Sequence, residues 1–124
     1  MDYVATNDAP KAIGPYSQAV KANGIVYTSG QIALDPASGS IVEGDFADQA
    51  RRVFDNLEAV LRESGSSFDR VLRATVYLTN LGDFQTLNAI YAERFGDHKP
   101  ARTTVQVAAL PKGSAVEIDL IALL

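Results

Sequence analysis

Between residues 46 and 61 apolar side chains return every three or four positions: Phe46, Ala50, Val53, Phe54, Leu57, Val60 and Leu61. That spacing lines one face of a helix of about five turns. Asp45 is placed as its N-cap and Gly65 as its C-terminal stop. The opposite face carries Asp48 with Arg52 and Glu58 with Arg62, i to i+4 pairs suited to a solvated surface. A second helix is predicted over Phe84 to Phe95, where Phe84, Leu87, Tyr91 and Phe95 share a stripe, Asp83 stands at the start and Gly96 at the end.

Elsewhere the pattern has a period of two. Ser17 to Ala22 and Ile25 to Ser29 flank Asn23-Gly24, a pair that tolerates the positive φ angles of a type I′ turn, so a hairpin is predicted. A short extended piece at Gln31 to Leu34 precedes turn chemistry at Asp35-Pro36-Ala37-Ser38-Gly39, after which Ile41-Val42 can pair locally. Val71 to Thr79 alternates, with Leu72, Ala74, Val76 and Leu78 on an apolar face and Val71, Arg73, Thr75 and Tyr77 on a mixed one. Two further strands, Thr103 to Ala109 and Ala115 to Leu123, are joined by Pro111-Lys112-Gly113-Ser114.

The order hairpin, α, β, α, β, β gives an α+β domain in which each helix is a right-handed crossover on the same side of one sheet. The other side is then left open. It would carry Val71, Tyr77, Ala108, Leu110, Ile121 and Leu123 with a few charges, a surface apolar enough to pack against other copies of the chain. Arg73, Glu117 and Asp119 beside that contact need partners, and a cleft between subunits is where they can meet a ligand.

Composition narrows the chemistry. The 124 residues fit one domain, with 47% hydrophobic and 21% charged residues, as in a folded globular chain. Eleven Lys and Arg against 15 Asp and Glu give a net charge of -4, which argues against nucleic-acid binding through a general positive field. The absence of cysteine excludes a disulfide framework, a thiolate nucleophile and a zinc ribbon, and the single histidine, His98, rules out a His pair for metal. Met1 to Lys11 lacks a signal-peptide apolar region and the apolar run Leu120 to Leu124 is too short to cross a membrane, so the expected location is the cytoplasm.

Chemistry therefore falls to Glu, Asp, Arg, Tyr, Ser, Lys or backbone groups. Arg102, after Pro100-Ala101, offers a planar fork for a small carboxylate, or else an interface ion pair. Glu117 sits between Val116 and Ile118, where partial burial raises a carboxyl toward general-base range; the alternatives are a partner for Arg102 or a solvent-facing position. Gly14-Pro15-Tyr16-Ser17 and Thr28-Ser29-Gly30-Gln31 can present hydroxyls and N–H groups to an anion, or serve as turns. His98 reads as a solvated loop residue.

Four ordered segments, AIGPYSQAV at Ala12 to Val20, TSGQI at Thr28 to Ile32, Val76 to Tyr91 with DFQTLNAIY, and PARTTVQVAALPKG at Pro100 to Gly113 followed by VEID, resemble the RidA family, also called YjgF or L-PSP endoribonuclease-like proteins. The resemblance covers nearly the whole chain and implies one RidA-like domain over 1–124. It implies a chorismate-mutase-like single mixed sheet with two helices on one face, assembled as a homotrimer with sites between subunits. It further implies hydrolysis of small 2-imino and enamine acids to 2-oxo acids and ammonia, with no cofactor, metal or membrane. Arg102 would hold the substrate carboxylate and Glu117 would orient or activate water. Tyr16, Ser29 and Gly30 match pocket positions, the Thr104 N–H would help bind substrate, and Asn88 matches a recurrent position. Thr104 replaces a cysteine found in some members, leaving the backbone donor intact. The competing expectations are an endoribonuclease or translation inhibitor, which the negative charge supports poorly, and a trimer that binds small carboxylates without turnover.

Overall fold

A computed structural model describes residues 1–124. Six strands, β1 (Asp2–Val4), β2 (Ala19–Ala22), β3 (Ile25–Thr28), β4 (Val71–Leu78), β5 (Ala101–Gln106) and β6 (Val116–Leu123), form one sheet in the order β1-β2-β3-β6-β4-β5. β4 and β5 are parallel and every other pair is antiparallel, so the sheet is mixed. The helices are α1 (Phe46–Ser64), between β3 and β4, and α2 (Phe84–Phe95), between β4 and β5. Because β3 and β4 both run antiparallel to β6, they are parallel to each other, and each helix links two parallel strands as the sequence order implies. The last strand inserts between β3 and β4.

The local signals explain most boundaries. Asn23 (φ 53°) and Gly24 (φ 79°) turn the β2–β3 hairpin with both residues in the left-handed region. At the start of α1, Asp45 accepts from the Asp48 N–H while Asp48 accepts from the Asp45 N–H, a reciprocal box, and Gly65 closes the helix in the left-handed conformation. That box occupies Asp48, so the expected pair with Arg52 does not form: Arg52 instead donates to Asn56 Oδ1 at 3.0 Å. The Glu58–Arg62 pair does form, at 3.9 Å.

Three further readings are corrected. A bulge in β4 sets Val71 opposite Ala122 and Arg73 opposite Ile121, adding one residue to that strand. It turns Val71 into the core at 1% exposure and leaves Leu72 outside at 43%, the reverse of the strict alternation. β5 begins at Ala101 and ends at Gln106, so Ala108 and Leu110 lie beyond it. His98 is half-buried, its Nε2 2.7 Å from the Val71 carbonyl, rather than free in a loop. The short strand β1, which pairs with β2, has no strong pattern in its three residues.

One core cluster unites the helices with the inward residues of β4 and β6. At its centre the Phe54 ring meets Phe68, Tyr91 and Phe95 edge-on, with centroids 6.1, 6.0 and 6.2 Å away. No helix is long and apolar enough to cross a membrane. Since Phe54 is fully buried, Phe54→Ala is expected to destabilise the chain by about 3–5 kcal/mol, measured by denaturant unfolding.

Candidate active site

Buried polar side chains shape the backbone around the end of the hairpin. Ser29 N–H donates to Gln18 O at 2.9 Å, and Ser29 Oγ donates to Ser17 O at 2.5 Å, so the two arms stay together where they leave the sheet. Gln31 exchanges backbone hydrogen bonds with Ile118 at 2.9 and 3.1 Å, which carries the chain after β3 alongside β6. From below, the Asn56 amide donates to Leu34 O at 2.9 Å and Ile32 O at 3.3 Å, and Ser114 Oγ accepts from the Ala33 N–H at 3.2 Å. The N-terminal segment is held by Gln18, whose Nε2 donates to Pro10 O at 2.7 Å and Thr6 O at 3.1 Å while its Oε1 accepts from Thr6 N–H at 2.7 Å.

These supports frame an open cleft of about 400 Å³ whose lining includes Ile13, Tyr16, Ser29, Gly30, Pro111 and Glu117. Its floor depends on a missing side chain: a Cβ built on Gly30 would collide with the Glu117 carboxyl. Gly30 is therefore needed for close approach of the carboxylate to the backbone, not for an unusual φ. Tyr16 lies at the rim, exposed, with its Oη accepting from the Ile13 N–H at 3.4 Å. The Ser29 proton is committed to Ser17 O, which leaves the hydroxyl oxygen free to act as an acceptor.

Glu117 is half-buried, and its carboxyl makes no ion pair within the chain. Burial pushes its carboxyl above the usual range, and the nearby Asp119 charge adds to the rise. Asp119 is itself raised by burial, against the opposing effects of Tyr77, Thr75 and Arg73. No three His, Cys, Asp or Glu side chains are grouped as a metal site. A larger hollow of about 490 Å³, bordered by Thr6, Lys11 and Glu63, brings together no comparable constellation.

Arg102, Thr104 and Asn88 are elsewhere. Arg102 pairs in register with Ala74 and Thr104 with Val76, both core-facing, so their side chains lie on the helix side of the edge strand β5. Glu117 and its register partner Tyr77 lie on the open side. Arg102 and Glu117 therefore do not pair within one chain: the sheet separates them. The Arg102 guanidinium rests over Tyr91 at 4.8 Å and Phe84 at 5.4 Å, and no acidic group pairs with it. A guanidinium so cradled is oriented by its aromatic faces while its N–H edge remains available. Thr104 Oγ1 and Tyr91 Oη nearby are buried without partners. Asn88, half-buried, falls between Phe84 and Tyr91 on the same helical stripe.

The architecture and both groups of residues can now be set beside known proteins. The family described as Endoribonuclease L-PSP matches residues 6–124. The chain belongs to this family. A RutC family protein of Pyrococcus horikoshii is 48% identical over 121 residues, covering 98% of this chain and 96% of the relative. Human 2-iminobutanoate/2-iminopropanoate deaminase is 46% identical over 120 residues, covering 97% and 88%. Among solved structures, RidA from the Antarctic bacterium Psychrobacter superposes with a TM-score of 0.96 at 43% identity, covering 100% of each chain. E. coli TdcF with bound serine gives 0.95 at 41% identity, covering 100% and 99%. Membership in the L-PSP family agrees with the α+β sheet and two helices described above.

The sequence reading missed the supports. Asn56 carried a usable signal, since it stands among Val53, Leu57 and Val60 on the apolar stripe of α1, where an unpaired amide is costly. Gln18 carried none, because its partners Thr6 and Pro10 lie far along the chain.

The raised carboxyl has a measurable cost. Above its folded-state value Glu117 holds a charge that the unfolded chain hydrates better, so its contribution to stability declines as pH rises through that window. Glu117→Gln is expected to raise the thermal midpoint at pH 8, and the gain should close as pH falls below the ordinary carboxylate range, read by calorimetry.

Proposed function

We propose that the protein hydrolyses reactive 2-imino and enamine acids, 2-aminoacrylate with its tautomer 2-iminopropanoate and 2-iminobutanoate, to 2-oxo acids and ammonia. The observation that carries this reading is the Glu117 carboxyl, desolvated and unpaired, lying against the Gly30 backbone in a cleft with Tyr16 and Ser29. The names of the human relative and of the serine-bound TdcF structure support it, one naming an imino acid substrate class and the other a small amino acid.

Water adds to the electrophilic carbon beside the substrate carboxylate. Glu117 accepts a proton from the attacking water as the C–O bond forms and returns it to the imine nitrogen, giving the carbinolamine; it then takes the carbinolamine hydroxyl proton and passes it to the same nitrogen as the C–N bond breaks, leaving the 2-oxo acid and ammonia. A base of raised pKa suits both transfers near neutral pH, and a positioned general base contributes on the order of 10²- to 10⁴-fold. Tyr16 and Ser29 border the reacting carbon. Arg102 grips the substrate carboxylate, with the Thr104 N–H and Asn88 beside it.

Arg102 and Glu117 occupy opposite faces of one sheet, so in this reading each complete site takes Glu117 from one chain and Arg102 from a neighbour. A homotrimer closes such head-to-tail contacts into a ring. The open face, with Tyr27 and Leu123 exposed, suits burial between copies. An RNA-cleaving role, favoured by the family's description, is supported less: the net charge is -4 and the single histidine is engaged with a core carbonyl.

The test couples the protein to a serine or threonine dehydratase and follows 2-oxo acid release under conditions where free imine decays slowly. Acceleration is expected, with loss in Arg102→Ala and in Glu117→Gln; no acceleration overturns the activity. Co-refolding those two inactive variants in equal amounts should restore about a quarter of the sites if each site draws on two chains. Failure to complement would overturn the shared site. Gly30→Ala, which pushes Glu117 aside while its backbone stays favourable, should fold normally and lose on the order of 10²-fold in rate.

A further inference from the structure

The open face around Glu117 holds two groups that the proposed reaction has not used. In the β4–β6 ladder Tyr77 lies directly opposite Glu117, and Thr75 directly opposite Asp119. Glu117 and Asp119, two residues apart on β6, emerge on the same face. The Tyr77 phenol does not stay with its register partner. Its Oη donates diagonally to Asp119 Oδ2 at 3.1 Å, fixing that carboxylate on the open face.

We propose that Asp119, locked by Tyr77, is a positioning residue for Glu117 that keeps it poised to take a proton and to return it. This rests on the reading of Glu117 as the proton acceptor. The geometry supplies the reason. A carboxylate fixed by a phenol two residues away cannot swing off into solvent, so its charge acts on Glu117 from a constant place.

The remaining charged and titratable neighbours do not duplicate this effect: in the shared site the neighbouring chain's Arg102 acts on Glu117 in the opposite sense and is the same in every variant below, and Tyr27 of β3, opposite Ile121, stands exposed on the same face. From β4, Arg73 donates to Thr103 Oγ1 at 2.5 Å and acts on Asp119. From the segment before β2, Tyr16 faces the cleft. Lys11 and Lys112 line the adjoining hollow, which shares Pro10, Ile13 and Leu34 with the cleft. Both helices lie behind the sheet. The directions of titration fit: burial and then Asp119 raise Glu117, while burial, Asp119 and Glu117 in that order raise Tyr77.

The experiment is a carbon NMR titration of protein labelled at the glutamate side-chain carboxyl carbon, in which the resonance missing from Glu117→Gln is that of Glu117. Asp119→Asn is expected to move the Glu117 midpoint to lower pH, with the acid limb of imine hydrolysis moving in the same direction. Asp119→Glu, which keeps the charge, should stay close to the wild-type midpoint. Tyr77→Phe keeps the ring but frees Asp119 to protonate more readily, so it should shift the midpoint the same way by less; it decides the matter if Asp119→Asn fails to fold. An unmoved or upward-shifted midpoint in Asp119→Asn and Tyr77→Phe, with hydrolysis lost in Glu117→Gln, overturns the role of Asp119 alone. Undiminished hydrolysis in Glu117→Gln overturns the catalytic reading itself, wherever the midpoint lies.

Discussion

The register of β6 is the constraint on which fold and site both depend. Val116, Ile118, Leu120 and Ala122 are buried to 1% exposure or less beneath the helices, while Glu117, Asp119 and Ile121 stand half-exposed on the other face. A slip of one residue would drive two carboxylates into the core and set four aliphatic side chains outside. The strand is hydrogen-bonded along both edges, to β3 and to β4. The energy that fixes the core is thus the same energy that aims Glu117 at Gly30.

A second consequence of the same sheet is the division of charge between its faces. Glu117 is unpaired on the open side, and Arg102 is without an acidic partner on the helix side. Both cost stability in an isolated chain, since a partly desolvated charge is tolerated best when paired. Aromatic stacking offsets part of that cost for Arg102, at about 0.5–2 kcal/mol for a cation over a ring. Nothing comparable supports Glu117.

Much of this was legible in the residues. The 3.6-residue period, the Asp45 cap and the Gly65 stop located α1, and Asn23-Gly24 located the hairpin, because those signals are local. The alternation in β6 correctly separated Glu117 from its buried neighbours. What escaped was non-local. The bulge that exchanges Val71 and Leu72 arises from how β4 meets β6, and no property of either residue announces it. Gln18, Asn56 and Ser114 act through backbone carbonyls and N–H groups that only the folded chain brings near. The separation of Arg102 from Glu117 follows from the registers of β5 on β4 and of β4 on β6, which the linear arrangement of elements leaves undetermined. Motif resemblance placed both residues in one site, but it did not say that the sheet stands between them.

The Gln18 hydrogen bonds have a polarity of their own. Its amide nitrogen faces the carbonyl oxygens of Thr6, Ala9 and Pro10, a ring of partial negative charge that admits a donor and repels an acceptor. Glutamate, equal in length and shape, would turn that ring into an opponent of the very side chain it encloses. The leading segment is consequently fastened by the sense of a few N–H vectors more than by the size of the group that supplies them.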